Sequence, residues 1–558
     1  MSTSKILSAR NSGGFVHAQL VKNGVTVVGC LLLSSIACCS PGCFAGETVP
    51  EQLERTFSTD YGPAEYKRAL FGWNLSEQMR KVRENQLSKR SILDFFGALH
   101  DLHSRPIFRR SEAVWLGIHI KKTDSGYLVA WLDPQIKTNL KIGDRVVEFD
   151  GSAIEEAVVS TREKTQWYST PAFEQNFAER FLTYRASSDW ATLPEKNESI
   201  TLTVLREGIK APLKASLTWL DDEEHAPSIR CPLWGKTKNG YLPNLGRITW
   251  EAAPTTSFRS YVFQHGNKSY GFIRFHTYAM GAEERLKALS DVDEAISKFL
   301  EHNVQGVVLD QTGNAGGHFL FAYSLLSRLV KAPMRTPLQQ YVMRNGEVVG
   351  FGKISEFEKK LHALSDIKTD DEAAKSLSQD SLFRNELNFI PQTAATVNDF
   401  REFLDFFIED QKRNAEPHLT APHFQVQKWI PPCKGPRYTG PIVMLIDEID
   451  FSAAEYAAAI MKDNKCAVLV GVCTAGGGGD QRVQKIDDPH LAGFTYTITF
   501  GERVSKDGNL LGPIENVGVS PNFEYRISKQ DLMSNFLPLK QNVMRRLEAI
   551  EDFDHKAE

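Results

Sequence analysis

A chain of 558 residues is too long for a single hydrophobic core, since cores stop growing at roughly 250 to 300 residues, and about two or three domains are expected. Its 65 basic and 69 acidic side chains nearly cancel, and 42% of its residues are hydrophobic. This is an ordinary globular balance, without the basic excess that would draw the protein onto nucleic acid.

The first segment, residues 1–45, carries Lys5, Arg10 and Lys22 but no acid, then the apolar run GVTVVGCLLLSSIACC and small residues at PGCFAGE. A basic lead, a short apolar stretch and a small-residue site are the order of a signal peptide, with cleavage expected after Ala45. The run is shorter than the roughly 20 residues a membrane-spanning helix needs, so export is expected, to the periplasm or beyond. Cys38, Cys39 and Cys43 do not form a good lipoprotein pattern. Beyond this segment remain Cys231, Cys433, Cys466 and Cys473, with no zinc spacing among them; no metal or cofactor is expected.

Residues 46–110 are rich in helix formers, with Ile92, Leu93, Phe95, Phe96 and Leu99 at helical spacing. Residues 111–220 turn to short strands, GYLVAWLDP, LKIGDRVVEFDG and ITLTVLREG, with turn residues at Gly143, Asp144, Asp150 and Gly151. Their order resembles a PDZ-like module, in which 157–197 reads as an insertion. Residues 221–268 collect Pro227, Pro232, Pro243 and Pro254 and lose periodicity, which predicts a long connector. From 269 to 535 an α/β rhythm follows, interrupted over 335–435 by a polar, mostly helical insertion, and 536–558 reads as a C-terminal helix or tail.

The densest chemical signal is IVMLIDEIDFSAAEYAAAIMKDN, a buried strand and an acidic turn that deliver Ser452 to the start of an alanine-rich helix. Unpaired amides and the positive end of the helix dipole there would stabilise an oxyanion, with the Ala453 N–H as first donor. Ser452 followed by Glu455 is also a capping box, the ordinary reason for a serine to begin a helix. A second glycine turn, GVVLDQTGNAGG, offers Gly316 or Gly317 as a second amide donor, and it lacks the lysine of a phosphate-cradling loop.

In chain order GFIRFHTY, VVLDQTGNAGG, DFSAAEYAAAIMKDN, VGVCTAGGGG and IENVGVSPN resemble the catalytic domain of the tail-specific or C-terminal processing serine peptidases. That resemblance implies a crotonase-like α/β core with a PDZ-like module, and cleavage of polypeptides through an acyl-enzyme. Those peptidases activate serine with a lysine in TxGKG, where this chain has Gly477. The glycine, with an acid inside IENVGV, makes the chain similar to the chlamydial protease-like activity factor group, in which a histidine and a glutamate serve the serine. The DxHxxxxF pattern falls on Asp101, His103 and Phe108, so the resemblance implies Ser452 as nucleophile, His103 as base and Glu515 as orienting acid. His100, His119 and His318 are rivals for the base, and Lys485 is the nearest later lysine for a serine-lysine alternative. A noncatalytic PDZ-type peptide-binding scaffold is the reading from another class. The resemblance further implies a self-processed zymogen that dimerises and acts on host proteins.

Overall fold

The computed structural model describes residues 47–554 apart from 110–111, 222–230, 232, 234–237, 381, 384–386 and 388, so the segment expected to be a signal peptide lies outside the described residues. A seven-stranded sheet runs in the order Arg247–Glu251, Arg259–His265, Lys268–Arg274, Val307–Asp310, Ile442–Ile446, Val468–Gly471, Phe523–Glu524. Pairing is antiparallel across the first three strands and parallel from Lys268–Arg274 onward. The parallel strands are apolar on both faces because both are covered. Val308, Val443, Leu445 and Val470 face the C-terminal helix Leu537–Asp554 through Leu539, Val543 and Leu547. Leu309, Met444 and Leu469 join the main core with residues of the helices Ala282–Glu301, Phe319–Leu326 and Ala453–Asp463. Each fully buried Leu, Val or Ile contributes roughly 1.5 to 3 kcal/mol.

Residues 118–218 form an antiparallel sheet ordered Ile118–Thr123, Gly126–Leu132, Arg145–Phe149, Ser199–Leu205, Leu213–Thr218, with the helices Ile154–Glu163 and Pro171–Thr183. The stretch 157–197 is more than an insertion. Its helix Pro171–Thr183 follows a turn tied to the α/β domain, with Ser169 Oγ donating to Gly476 O at 2.9 Å and Thr170 Oγ1 donating to Thr474 O at 3.1 Å.

Two expectations need correction. The connector expected over 221–268 contains the strands Arg247–Glu251 and Arg259–His265, which extend the central sheet; Pro243 and Pro254 lie outside these strands, so strand pairing survives. The insertion over 335–435 has the expected helices Ile354–Leu364, Asp370–Leu377 and Ala394–Arg413. It also contains the strand Leu338–Arg344, the centre of a second sheet, where it pairs with Thr499–Val504. Its glutamines hid this strand: Gln339 is buried because it bonds Gln425 Oε1 at 2.6 Å.

The N-terminal helices Val49–Thr59, Ala64–Phe71, Leu75–Glu84 and Lys89–Gly97 pack Phe57, Phe95 and Phe96 against Phe494. After them the strand Arg105–Phe108 pairs with Leu491–Thr497, so the loop between, carrying His103, is pinned to the α/β domain. Cys433, Cys466 and Cys473 are free thiols.

Candidate active site

Parallel pairing in register, with Asp310 opposite Leu445 and Leu445 opposite Val470, brings three strand ends together, the usual place for a site in an open α/β sheet. Two of the turns that follow are laced by side chains. Asp450 Oδ1 accepts the Asn314 N–H at 3.1 Å, Asp447 Oδ1 accepts the Gly313 N–H at 2.9 Å, and the Phe451 N–H donates to Asn314 O at 3.0 Å.

Ser452 sits at the tip of this construction with φ 57° and ψ −120°. A non-glycine residue held there costs of order 1 to 3 kcal/mol and persists only when the surroundings fix it. Gly316, itself at φ +85°, lies so close that a Cβ on it would stand 2.8 Å from Ser452 Cβ and 3.0 Å from Ala453 N. The glycine turn therefore does meet the serine. The Gly316 N–H donates to Asn314 Oδ1 at 2.8 Å, and the bridge between Gly317 and Tyr278 is made by the Tyr278 N–H donating to Gly316 O at 2.9 Å and the His318 N–H donating to Tyr278 O at 3.0 Å. The Ala453 N–H donates to none of the described residues.

Glu455, the far member of the capping box, is completely buried and surrounded by donors. It accepts the Ser452 N–H at 3.2 Å, Thr474 Oγ1 at 2.6 Å, and the Gly476 and Gly477 N–H groups at 2.7 Å each. Burial pushes its carboxyl up to about 7 against those hydrogen bonds.

The glycine run 476–479 is a row of donors, and its next amide serves the expected acid. Glu515 Oε2 accepts the Gly478 N–H at 3.0 Å, while Oε1 is ion-paired to Lys67, both side chains being fully buried. Burial pushes the Glu515 carboxyl up to about 8, with Lys67 pulling it down and Asp101 pushing it up. Lys67 carries no sequence signal of its own, being one lysine in a helix of mixed polarity.

His103 is 2% exposed, and its ring lies 4.4 Å from that of Phe451, the residue before Ser452. Its N–H donates to Asp101 Oδ1 at 2.9 Å, and Asp101 Oδ2 accepts Ser104 Oγ and Thr497 Oγ1, which explains the first two letters of the DxH pattern as a turn that sets the histidine's backbone. Burial pushes the imidazole down to about 4, so it is neutral near pH 7. Its Nδ1 is buried without a hydrogen-bond partner among the described residues. The structure thus gathers Ser452, Ala453, Gly316 and His103 around Phe451. Glu515 joins through the glycine run, and no hydrogen bond links Ser452 to His103 or His103 to Glu515 among the described residues.

The rivals are otherwise engaged. The His100 ring stacks on Phe71 at 4.1 Å, His318 Nδ1 caps its helix by accepting the Phe321 N–H at 3.2 Å, and His119 lies on the strand Ile118–Thr123. Lys485 is exposed on the strand Gln481–Lys485. Among the described residues no group of three His, Cys, Asp or Glu side chains is arranged to hold a metal, and no helix is long and apolar enough to cross a membrane.

Comparison with known proteins agrees with this architecture. Residues 269–525 match Peptidase family S41, and residues 112–228 match a PDZ domain. The match over residues 269–525 supports a serine peptidase. It is 26% identical to a protein of Chlamydia pneumoniae, with 92% of each chain covered. Its fold is similar to that of mature CPAF, with a TM-score of 0.76 at 22% identity over 90% of this chain and 97% of that one. Mature CPAF complexed with lactacystin matches at a TM-score of 0.74 and 22% identity, over 91% and 97% of the two chains.

Proposed function

We propose that the protein is an endopeptidase that cleaves polypeptides through a Ser452 acyl-enzyme, with His103 as base and Glu515 as orienting acid. The observation that carries this reading is the packing of a neutral, buried His103 against Phe451, one residue from a strained serine. His103 takes the Ser452 proton as Oγ attacks the scissile carbonyl, then returns it to the leaving amine, and water attacks the acyl-enzyme by the same path in reverse. The developing oxyanion meets the Ala453 N–H first, and the Gly316–Gly317 turn becomes a second donor on release from Asn314. Hydrogen bonds of this kind are often long or absent before substrate binds.

The reading extends to an exported enzyme made as a self-cleaved zymogen, working as a homodimer on host polypeptides. The signal segment and the likeness to a Chlamydia pneumoniae protein support this. Leu242 and Leu245, buried in the connector against the edge of the central sheet, give the zymogen a segment that cleavage would release.

Digestion of an unstructured protein substrate tests the mechanism. Ser452→Ala and His103→Ala are each expected to lose roughly 10⁶ in kcat and Glu515→Gln roughly 10⁴, with folding retained. Undiminished cleavage by Ser452→Ala would end the reading. A fluorophosphonate probe that fails to label Ser452 would favour the peptide-binding scaffold instead.

A further inference from the structure

The helix Ala64–Phe71, AEYKRALF, is built inside out. Its one fully buried residue is Lys67, at 0% exposure, while Leu70 is 53% and Phe71 37% exposed. Hydrophobic burial therefore does not hold this helix in place, and an ammonium costs several kcal/mol to strip of water unless it is paired. Lys67 is fully paired. Its three protons go to Glu515 Oε1, to Asn516 Oδ1 and, at 2.8 Å, to His100 O. It thus joins the segment that carries the acid to the loop that carries His103. Each carboxylate oxygen has a second lone pair, so the pairing leaves Glu515 an acceptor for an imidazole.

Resting on the triad reading above, we propose that Lys67 is a positioning residue of the peptidase: it is the counter-charge that lets a fully buried Glu515 ionise and so support the imidazolium of His103. The groups facing Glu515 favour this role. Tyr66 and Tyr61 come from the N-terminal segment, Asp101 from the histidine loop, and Glu455 and Tyr456 from the nucleophile helix. Two of these are carboxyls that oppose a charge on Glu515, and the others are phenols whose own ionisation is suppressed. Burial already drives the acid up to about 8 with Lys67 in place. Without the ammonium the acid stays protonated further into the alkaline range, and a neutral carboxyl stabilises an imidazolium poorly.

The test is the rate of fluorophosphonate labelling of Ser452 against pH in the active enzyme, for the wild type, Lys67→Met, Lys67→Arg and Glu515→Gln. The wild type is expected to show a rising limb near the Glu515 titration, absent from Glu515→Gln. In Lys67→Met the limb moves at least about one pH unit upward, so labelling at pH 7 falls about tenfold or more and recovers in alkali. In Lys67→Arg, which keeps the charge, the limb stays within about half a unit. A purely structural role predicts a loss equal at every pH, and that result overturns the inference, as does faster labelling in Lys67→Met. Should Lys67→Met not fold, an upward shift in Lys67→Arg or a limb that survives in Glu515→Gln overturns it just as well. These failures leave Ser452 labelled and the peptidase reading standing, whereas a wild type that is never labelled ends both.

Discussion

Gly477 stands where the lysine of a serine-lysine dyad would be, and the structure gives a physical reason why no lysine works there. A Cβ on Gly477 would overlap the ring of Phe451, the same ring that His103 packs against. The phenylalanine thus fills the volume a lysine stem would need, and it supplies the surface on which His103, the base proposed above, is packed. Gly477→Lys in a His103→Ala background is accordingly expected to remain inactive towards a fluorophosphonate; recovery of labelling would show that an ammonium can reach Ser452 after all. Gly477→Ala alone pushes on Phe451 and so on His103, and a displacement of about 1 Å in a catalytic group is enough to cost roughly a hundredfold in rate.

The helix Ala453–Asp463 holds the serine through Glu455. Four donors and no acceptor face that carboxylate, two of them amides of the glycine run. In Glu455→Gln an amide NH₂ must point at donors, and a loss of about 3 kcal/mol is expected in urea unfolding, since each buried group left unsatisfied costs about 1 to 3 kcal/mol. A change under about 0.5 kcal/mol would show that the turn is held by something else. This contact also marks how far the sequence could be read. Ser452 and Glu455 announced a helix start, and the apolar runs around Val308, Met444 and Leu469 announced buried parallel strands, because those signals are local. Lys67 was silent: in AEYKRALF the periodicity nominates Leu70 and Phe71 for the core and the lysine for solvent, and the reverse holds only because Glu515, 448 residues away, comes to meet it. The strand Leu338–Arg344 was likewise hidden, since its glutamines are buried by partners that sequence alone does not pair.

Across the whole molecule, burial displaces acids and histidines in opposite directions. Glu515 is pushed up to about 8, Glu455 to about 7, and Asp447 and Asp480 to about 6. His100, His103, His276 and His423 are pushed down to about 4. Between roughly pH 4 and 6.5 the unfolded chain protonates its histidines while the folded chain does not, so this set makes stability rise with pH. The raised acids hold protons longer when folded, so over the same range they make stability fall, and the two slopes largely cancel. Above about pH 6.5 the histidines are neutral in both states, and only the acid slope is left from these groups. Stability is therefore expected to be flat from about pH 4.5 to 6.5 and to fall by about 2 kcal/mol towards pH 8.5, measured by urea unfolding at each pH. Glu515→Gln should remove the larger share of that fall, and a wild type that becomes more stable between pH 6.5 and 8.5 would contradict the assignment. In the triad proposed above, ionised Glu515 supports an imidazolium and is also the form that its buried site resists, so the proposal expects the rate to climb over the interval in which stability declines, with Glu515→Gln flattening both curves together.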